Sequence, residues 1–182
     1  MVARTETEIL ACDYLHKNGI PALPGKSVGY ADVDVAAFGC VPIEVKYSKL
    51  AYARKQYRFR YTLTPKQVER GFLADIVILI CDWNGYPERV EPMTFHIFKA
   101  NNPVFYMGNR LKNGFDYVPG RSEALKHGNN RVVMVDGMME SAKDHTQLIW
   151  QRLKQVSQQV SGGDLSYQRF SAMDRTNRTT RK

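Results

Sequence analysis

The apolar positions of this chain change period several times, and each change marks an element. Ile9, Leu10 and Leu15 recur at helical spacing behind Thr5-Glu6-Thr7-Glu8, which fits a capping box with Thr5 as N-cap and Glu8 three positions on. A helix is predicted over residues 5–17, stopped by Asn18-Gly19. A short extended piece at 20–23 and a turn at Pro24-Gly25 should follow. From 27 to 47 the period becomes two, with Val33, Val35, Val41, Ile43 and Val45 on one parity and polar groups on the other, which predicts a β-hairpin turning near Gly39. Thr64-Pro65 reads as N-cap and first-turn proline of a helix over 64–72.

Residues 74–81 are apolar on both faces, so they are expected to form a central strand parallel to a neighbour. The stretch 82–128 is rich in Gly, Pro and Asn and carries short aromatic runs such as the one at 94–98, which predicts strands and loops. Residues 131–135 read as a further strand, and 143–160 as a helix with Leu148, Ile149, Leu153, Val156 and Val160 inward. From 161 onward almost nothing is apolar, and five Lys or Arg face two Asp, so 161–182 is expected to be a disordered basic tail. The whole predicts an α/β protein with one domain over 1–160, its core at about 5–82 and an elaboration at about 83–160.

Composition sharpens this in three ways. A chain of 182 residues, 43% hydrophobic, can bury one sizeable core. Its net charge of +8 favours a polyanionic partner, nucleic acid or an anionic membrane surface, because phosphate contacts release condensed counterions. The longest apolar run, 76–81, is too short to span a bilayer, and no signal-peptide core opens the chain, so no membrane partner is expected. Cys12, Cys40 and Cys81 are odd in number and widely spaced, which suits buried reduced thiols in an intracellular protein rather than disulfides or zinc. The histidines at 16, 96, 127 and 145 lack metal-ligand spacing.

The chemistry concentrates in the hairpin. A turn at Gly39 sets Asp34 opposite Glu44 and Asp32 opposite Lys46, with all four on one face, since a one-residue slip would bury the charges. Carboxylate oxygens are the hard ligands magnesium prefers, and a lysine two residues after the glutamate shares its face, where it can orient a water or meet charge developing on a phosphate. The competing reading is a set of solvated ion pairs on the exposed face of an antiparallel hairpin.

These residues and the order of elements around them resemble the PD-(D/E)XK nuclease superfamily, with some likeness to Holliday-junction resolvases. The resemblance implies a restriction-endonuclease-like core, α-β-β-β-α-β, with a mixed central sheet flanked by helices, to which this chain adds a loop-rich β insertion and a C-terminal helix. It also implies Asp34 as metal-binding aspartate, Glu44 as second acid, Lys46 as the lysine of the Glu-x-Lys element and the Val45 backbone carbonyl as a further ligand. Glu8 resembles the additional helical acid of the resolvases, and Gln67 the polar residue that several branches point toward the site. The proline expected before the aspartate is absent, and Ala31-Asp32-Val33-Asp34 leaves Asp32 as an alternative ligand. The implied activity is a Mg2+-dependent endodeoxyribonuclease, site-specific or structure-selective, with Mn2+ able to substitute, no small-molecule cofactor and a homodimeric assembly. An inactive nucleic-acid-binding module on the same fold and an RNA-directed nuclease are the alternatives.

Between 47 and 61 the chain carries Lys49, Arg54, Lys55, Arg58 and Arg60 and no acid, interleaved with Tyr47, Tyr52, Tyr57 and Tyr61. Cations beside the metal site can position phosphates, and tyrosines can bond them or stack on bases. Lys49, Arg54, Lys55, Arg58, Arg60, Tyr47 and Tyr57 are the expected DNA contacts. A solvated basic helix or loop is the bland alternative.

Overall fold

The computed structural model describes residues 4–53, 56–87, 90–101, 114–118, 125–127, 131–135 and 142–159. The expectations for Arg54, Lys55, Val160 and the tail at 161–182 lie outside these residues. Helix α1 spans Arg4–Lys17 and buries Ala11, Cys12 and Leu15. Arg4 is already helical, so Thr5 is not the N-cap. The expected Thr5–Glu8 box is replaced by Thr7 Oγ1 donating to the Arg4 carbonyl at 2.7 Å, and the Glu8 carboxylate turns to Arg4. The helix ends as predicted at Gly19, whose φ of 77° lets Gly19 N and Ile20 N return to the carbonyls of His16 and Leu15.

Strand β1 (Ala22–Pro24) and a 3-10 turn (Gly25–Val28) lead to β2 (Val35–Ala37) and β3 (Val41–Ala53). The hairpin register is the one the alternation predicts, with Val35 opposite Ile43 and Ala37 opposite Val41. Its turn places Phe38 and Gly39 at positive φ, closed by Cys40 N to the Ala37 carbonyl at 3.1 Å, the twist that suits a tight hairpin. The ladder is shorter than expected, however. Pairing stops at Val35, and Asp32 lies in an exposed turn rather than opposite Lys46.

The basic stretch after Tyr47 is neither helix nor loop. Strand β3 runs on to Ala53 and returns as β4 (Gln56–Thr62), with Leu50 opposite Phe59 and Tyr52 opposite Tyr57. Short helix α2 (Pro65–Arg70) follows, and then β5 (Ile76–Asp82), which pairs parallel with β3 over Ile43–Ile76 to Lys49–Asp82 and antiparallel with β6 (Met93–Lys99). Strands β7 (Gly114–Val118), β8 (Leu125–His127) and β9 (Arg131–Val135) extend the sheet beyond β4, and α3 (Ala142–Gln159) closes the described chain.

The result is a mixed α/β protein whose sheet is predominantly antiparallel and folds over itself. One part runs β1-β2-β3-β5-β6 and the other β3-β4-β7-β9-β8, with β3 common to both. This explains why β5 is apolar throughout. Ile76, Ile78 and Ile80 face α1 and α3 through Leu15 and Ile149, while Val77, Leu79 and Cys81 meet an aromatic layer of Phe59, Tyr61, Phe72, Phe115 and Tyr117. Helices α1 and α3 thus flank one face, and the second face is covered by the far strands together with α2. Each buried aliphatic side chain contributes on the order of 1.5–3 kcal/mol, which anchors β5 in both layers. All three cysteines are buried and free, as their spacing predicts. Among the described residues no helix is long and apolar enough to cross a membrane.

Gly25 holds the approach to β2. A Cβ there would sit 1.9 Å from the Val33 carbonyl oxygen, and the Gly25 N–H bonds the Asp34 carbonyl at 2.9 Å. Gly39, by contrast, meets nothing within 4 Å. In urea denaturation Gly39→Ala is expected to lose only the conformational strain of positive φ, about 1 kcal/mol, whereas Gly25→Ala must shift backbone and should lose about 2 kcal/mol or more. Equal losses would show that the close approach at Gly25 is relaxed at little cost.

Candidate active site

The first turn of α1, the residue entering β2, the middle of β3 and the first turn of α2 meet at one place, and Asp34 ties three of them together. Its Oδ2 accepts the Val45 N–H at 2.9 Å, and its Oδ1 accepts Arg4 Nε at 3.0 Å and Nη2 at 2.6 Å. Arg4 Nε also lies 3.2 Å from Glu8 Oε1. The side chains of Glu8 and Asp34 are only 4% and 9% exposed, so these are not the solvated pairs of an open hairpin face.

Glu44 and Lys46 share the face of β3 that meets α2. Lys46 Nζ lies 3.0 Å from Glu44 Oε1 and donates to Gln67 Oε1 at 3.0 Å, while Gln67 Nε2 donates to Glu44 Oε1 at 2.7 Å. Gln67 is held by the helix cap: its Oε1 accepts the Thr64 N–H, and Thr64 Oγ1 accepts the Gln67 N–H. The residue that starts α2 thus also fixes the Glu44–Lys46 pair. Lys46 stands 5.8 Å from the centre of the Phe72 ring, close enough for cation–π attraction.

Burial, and then the charge of Asp34, push the carboxyls of both Glu8 and Glu44 above their ordinary value of 4.5. Arg4 and Lys26 oppose the shift at Glu8, as Lys46 and Gln67 do at Glu44, without cancelling it. Three hard oxygen donors, Glu8, Asp34 and Glu44, therefore act on one another in a poorly solvated place, and their chemistry suits a divalent cation. Their arrangement is less ready. Among the described residues no group of three or more His, Cys, Asp or Glu side chains is set to hold a metal ion, and Arg4 and Lys46 are ion-paired with the acids. Val45 enters the cluster through its N–H. Asp32 stands apart in its exposed turn.

The expected DNA contacts divide. Lys49 is exposed on β3. Tyr47 donates its hydroxyl to Asp82, and burial together with that bond raises its pKa far above the ordinary value. Tyr57 pairs with Tyr52 in the hairpin ladder. Arg58 is not a surface cation at all: its side chain is 5% exposed and its Nη1 donates to Asp116 Oδ2 at 3.0 Å. Arg60 is half-exposed, directly opposite Asp116, and donates to its Oδ1 at 3.0 Å. A cavity of about 580 Å3 with Arg70, Asp75, Lys99 and Arg152 on its walls is lined by none of the clustered acids. The sequence reading passed over Arg4 and Asp116. Arg4 stands four residues before Glu8 on one helical face, a spacing that signals the pair, whereas nothing local announces a partnership between β4 and β7.

Comparison with known proteins found no match among family models, curated proteins or solved structures.

Asp116 is fully buried. Burial alone would raise its pKa, but hydrogen bonds from Arg60 and Arg58 and their charges outweigh this and hold it below the ordinary 3.8. The ion pairs should therefore stabilise the fold fully above pH 3.8 and be lost as the pH falls through the depressed value in the folded state. Asp116→Asn leaves the Arg58 charge buried without its carboxylate and is expected to cost about 3–5 kcal/mol near neutral pH. Urea titrations of wild type and variant should converge on acidification, and a gap that persists unchanged at the lowest measurable pH would refute this account.

Proposed function

We propose that this chain is a Mg2+-dependent endonuclease of the PD-(D/E)XK type that hydrolyses phosphodiester bonds in DNA. The observation that carries the reading is the convergence, from a loop, a strand and a helix distant in sequence, of Asp34 on the Val45 N–H with the part-buried, mutually bonded group Glu44, Lys46 and Gln67 on the neighbouring residues of β3 and on α2. Glu8 joins it through Arg4. Burying so much charge is unfavourable for stability alone, and perturbed acids in such clusters favour a functional role. Asp34, Glu44 and Glu8 would hold Mg2+, or Mn2+ in its place, with Asp32 the alternative. A divalent ion there would polarise a phosphate oxygen and acidify a bound water.

Lys46 is the group that would act on substrate. Glu44 and Gln67 hold its ammonium in place, so its remaining donor capacity can orient a water or meet charge developing on a non-bridging phosphate oxygen without reorganisation. Gln67 is a positioning residue for both Glu44 and Lys46. The net charge of +8, with Lys49 and the half-exposed Arg60 on the strands leaving the cluster, supports a polyanionic substrate. Tyr57 stands on β4, and Arg54 and Lys55 come just before it in the sequence. One cluster per chain implies a homodimer if both strands of a duplex or junction are cut. Site-specific duplex cleavage and structure-selective junction cleavage are both compatible with this chemistry.

One observation favours a second reading. Because Arg4 and Lys46 already pair with the acids, the chain would also serve as a nucleic-acid-binding module without activity. Supercoiled plasmid, linear duplex, a four-way junction and single-stranded DNA and RNA, each with Mg2+, Mn2+ or EDTA, separate the possibilities. A nuclease should cut DNA only with the divalent ion, and Lys46→Ala and Asp34→Asn should each slow cleavage by about 100-fold or more while DNA affinity changes little. Preferential cutting of the junction would assign structure selectivity. DNA binding without cleavage under any of these conditions would establish the module instead, and cleavage of RNA alone would redirect the substrate.

A further inference from the structure

We propose that Arg4 is a built-in competitor of the divalent cation: its guanidinium neutralises Glu8 and Asp34 in the metal-free protein and must swing away before the ion binds. The inference rests on the metal-dependent reading above and adds the step by which that site is loaded.

The geometry is that of an exposed cation bonded to two enclosed acids. Arg4 Nη2 and Nε lie 2.6 and 3.0 Å from Asp34 Oδ1, and Nε lies 3.2 Å from Glu8 Oε1. The two carboxylates are 4% and 9% exposed, whereas the Arg4 side chain is 56% exposed. The acids are thus enclosed, while the side chain that pairs with both reaches solvent. Both acids also act on each other, since the Asp34 charge raises Glu8. A buried pair of like charges needs a counter-ion, and among the described residues Arg4 is the cation in contact with both.

Its place in the fold lets it leave. Arg4 belongs to the first turn of α1, and its side chain is held to the rest of the molecule by these two acids. Rotation about its side-chain bonds would free Asp34 Oδ1 and Glu8 Oε1 without disturbing the helix, which is fixed further along by Ala11, Cys12 and Leu15. Asp34 would keep its Oδ2 bond to the Val45 N–H, so the carboxylate would stay in place. Lys46 cannot take over the role, because it is engaged with Glu44 and Gln67. One oxygen of each of two donors is thus already committed to an internal cation.

Competition has a direct consequence. The apparent affinity for the ion is reduced by the fraction of molecules in which Arg4 has left the acids. Removing the guanidinium should therefore tighten metal binding, although it deletes a favourable interaction of the metal-free protein.

The test uses the full chain without DNA and reads Mn2+ binding by the loss of the free-ion EPR signal, together with the rise in melting temperature on adding Mn2+. Arg4→Gln is expected to bind Mn2+ at least about tenfold more tightly than wild type, to melt lower without metal and to gain more on its addition. Arg4→Lys keeps the charge but not the fork that reaches two carboxylates. It serves as the second variant if the glutamine form does not fold, and it should fall between the two. Asp34→Asn should abolish the binding. Equal or weaker Mn2+ binding in both Arg4 variants, with wild type and its Asp34→Asn control behaving as expected, would overturn the competition and leave the metal site standing. Absence of Mn2+ binding in wild type and in both Arg4 variants would overturn the competition and the metal-dependent reading together.

Discussion

The structure depends on β3 being shared. Its first part pairs with β2 on one side and with β5 on the other, and its last residues turn away to pair with β4. A strand committed on both edges cannot slip, because a shift of one residue would exchange its Ile43 and Val45 for Glu44 and Lys46 in the helical layer. The same commitment makes the sheet fold over, since residues beyond Lys49 must follow β4 while β5 continues with β6. Glu44 and Lys46 stand in the stretch paired with β5, and on the other edge the Val45 N–H between them is taken by Asp34, which gives the candidate site a fixed floor.

Around that floor, charge is managed in two separate places by the same means. At Asp34 and Glu8 the counter-charge is a single half-exposed arginine, and at Asp116 it is two arginines, one of them buried. The outcomes differ because the surroundings differ. Arg58 and Arg60 donate to both oxygens of Asp116 and hold it ionised, whereas Arg4 does not offset what burial and the Asp34 charge do to Glu8. The first arrangement locks neighbouring strands together. The second leaves acids that are incompletely compensated beside a lysine already in position, which is the condition expected of a site that receives a ligand rather than of a structural clamp.

Much of this was legible along the chain. Val33, Val35, Val41, Ile43 and Val45 set the hairpin register that brings Asp34 toward Glu44, because period-two burial admits one alignment. Gly19 and Thr64-Pro65 marked a helix end and a helix start through backbone geometry that few other residues supply. Asp32 and Arg58 were misread for a common reason. Whether a residue near a strand end is paired, turned out or covered depends on elements far away, and the alternation of Tyr57, Phe59 and Tyr61 with arginines was masked by their charge.

By itself the sequence determined what nearest neighbours and periodicity control: the helices, the central apolar strand, the turn at Gly39 and the nearness of Asp34, Glu44 and Lys46, whereas Gln67 was suggested only by the family resemblance. Tertiary structure alone decided which of the charges are buried and with whom. It closed Arg4 over Asp34 and Glu8, sent Arg58 inward to Asp116 and brought aromatic side chains of the far strands, together with α2, over the second face of β5. The physical reason is that the energy of a charge depends on its distance from water and from other charges, and both distances are set by residues that are remote in the chain.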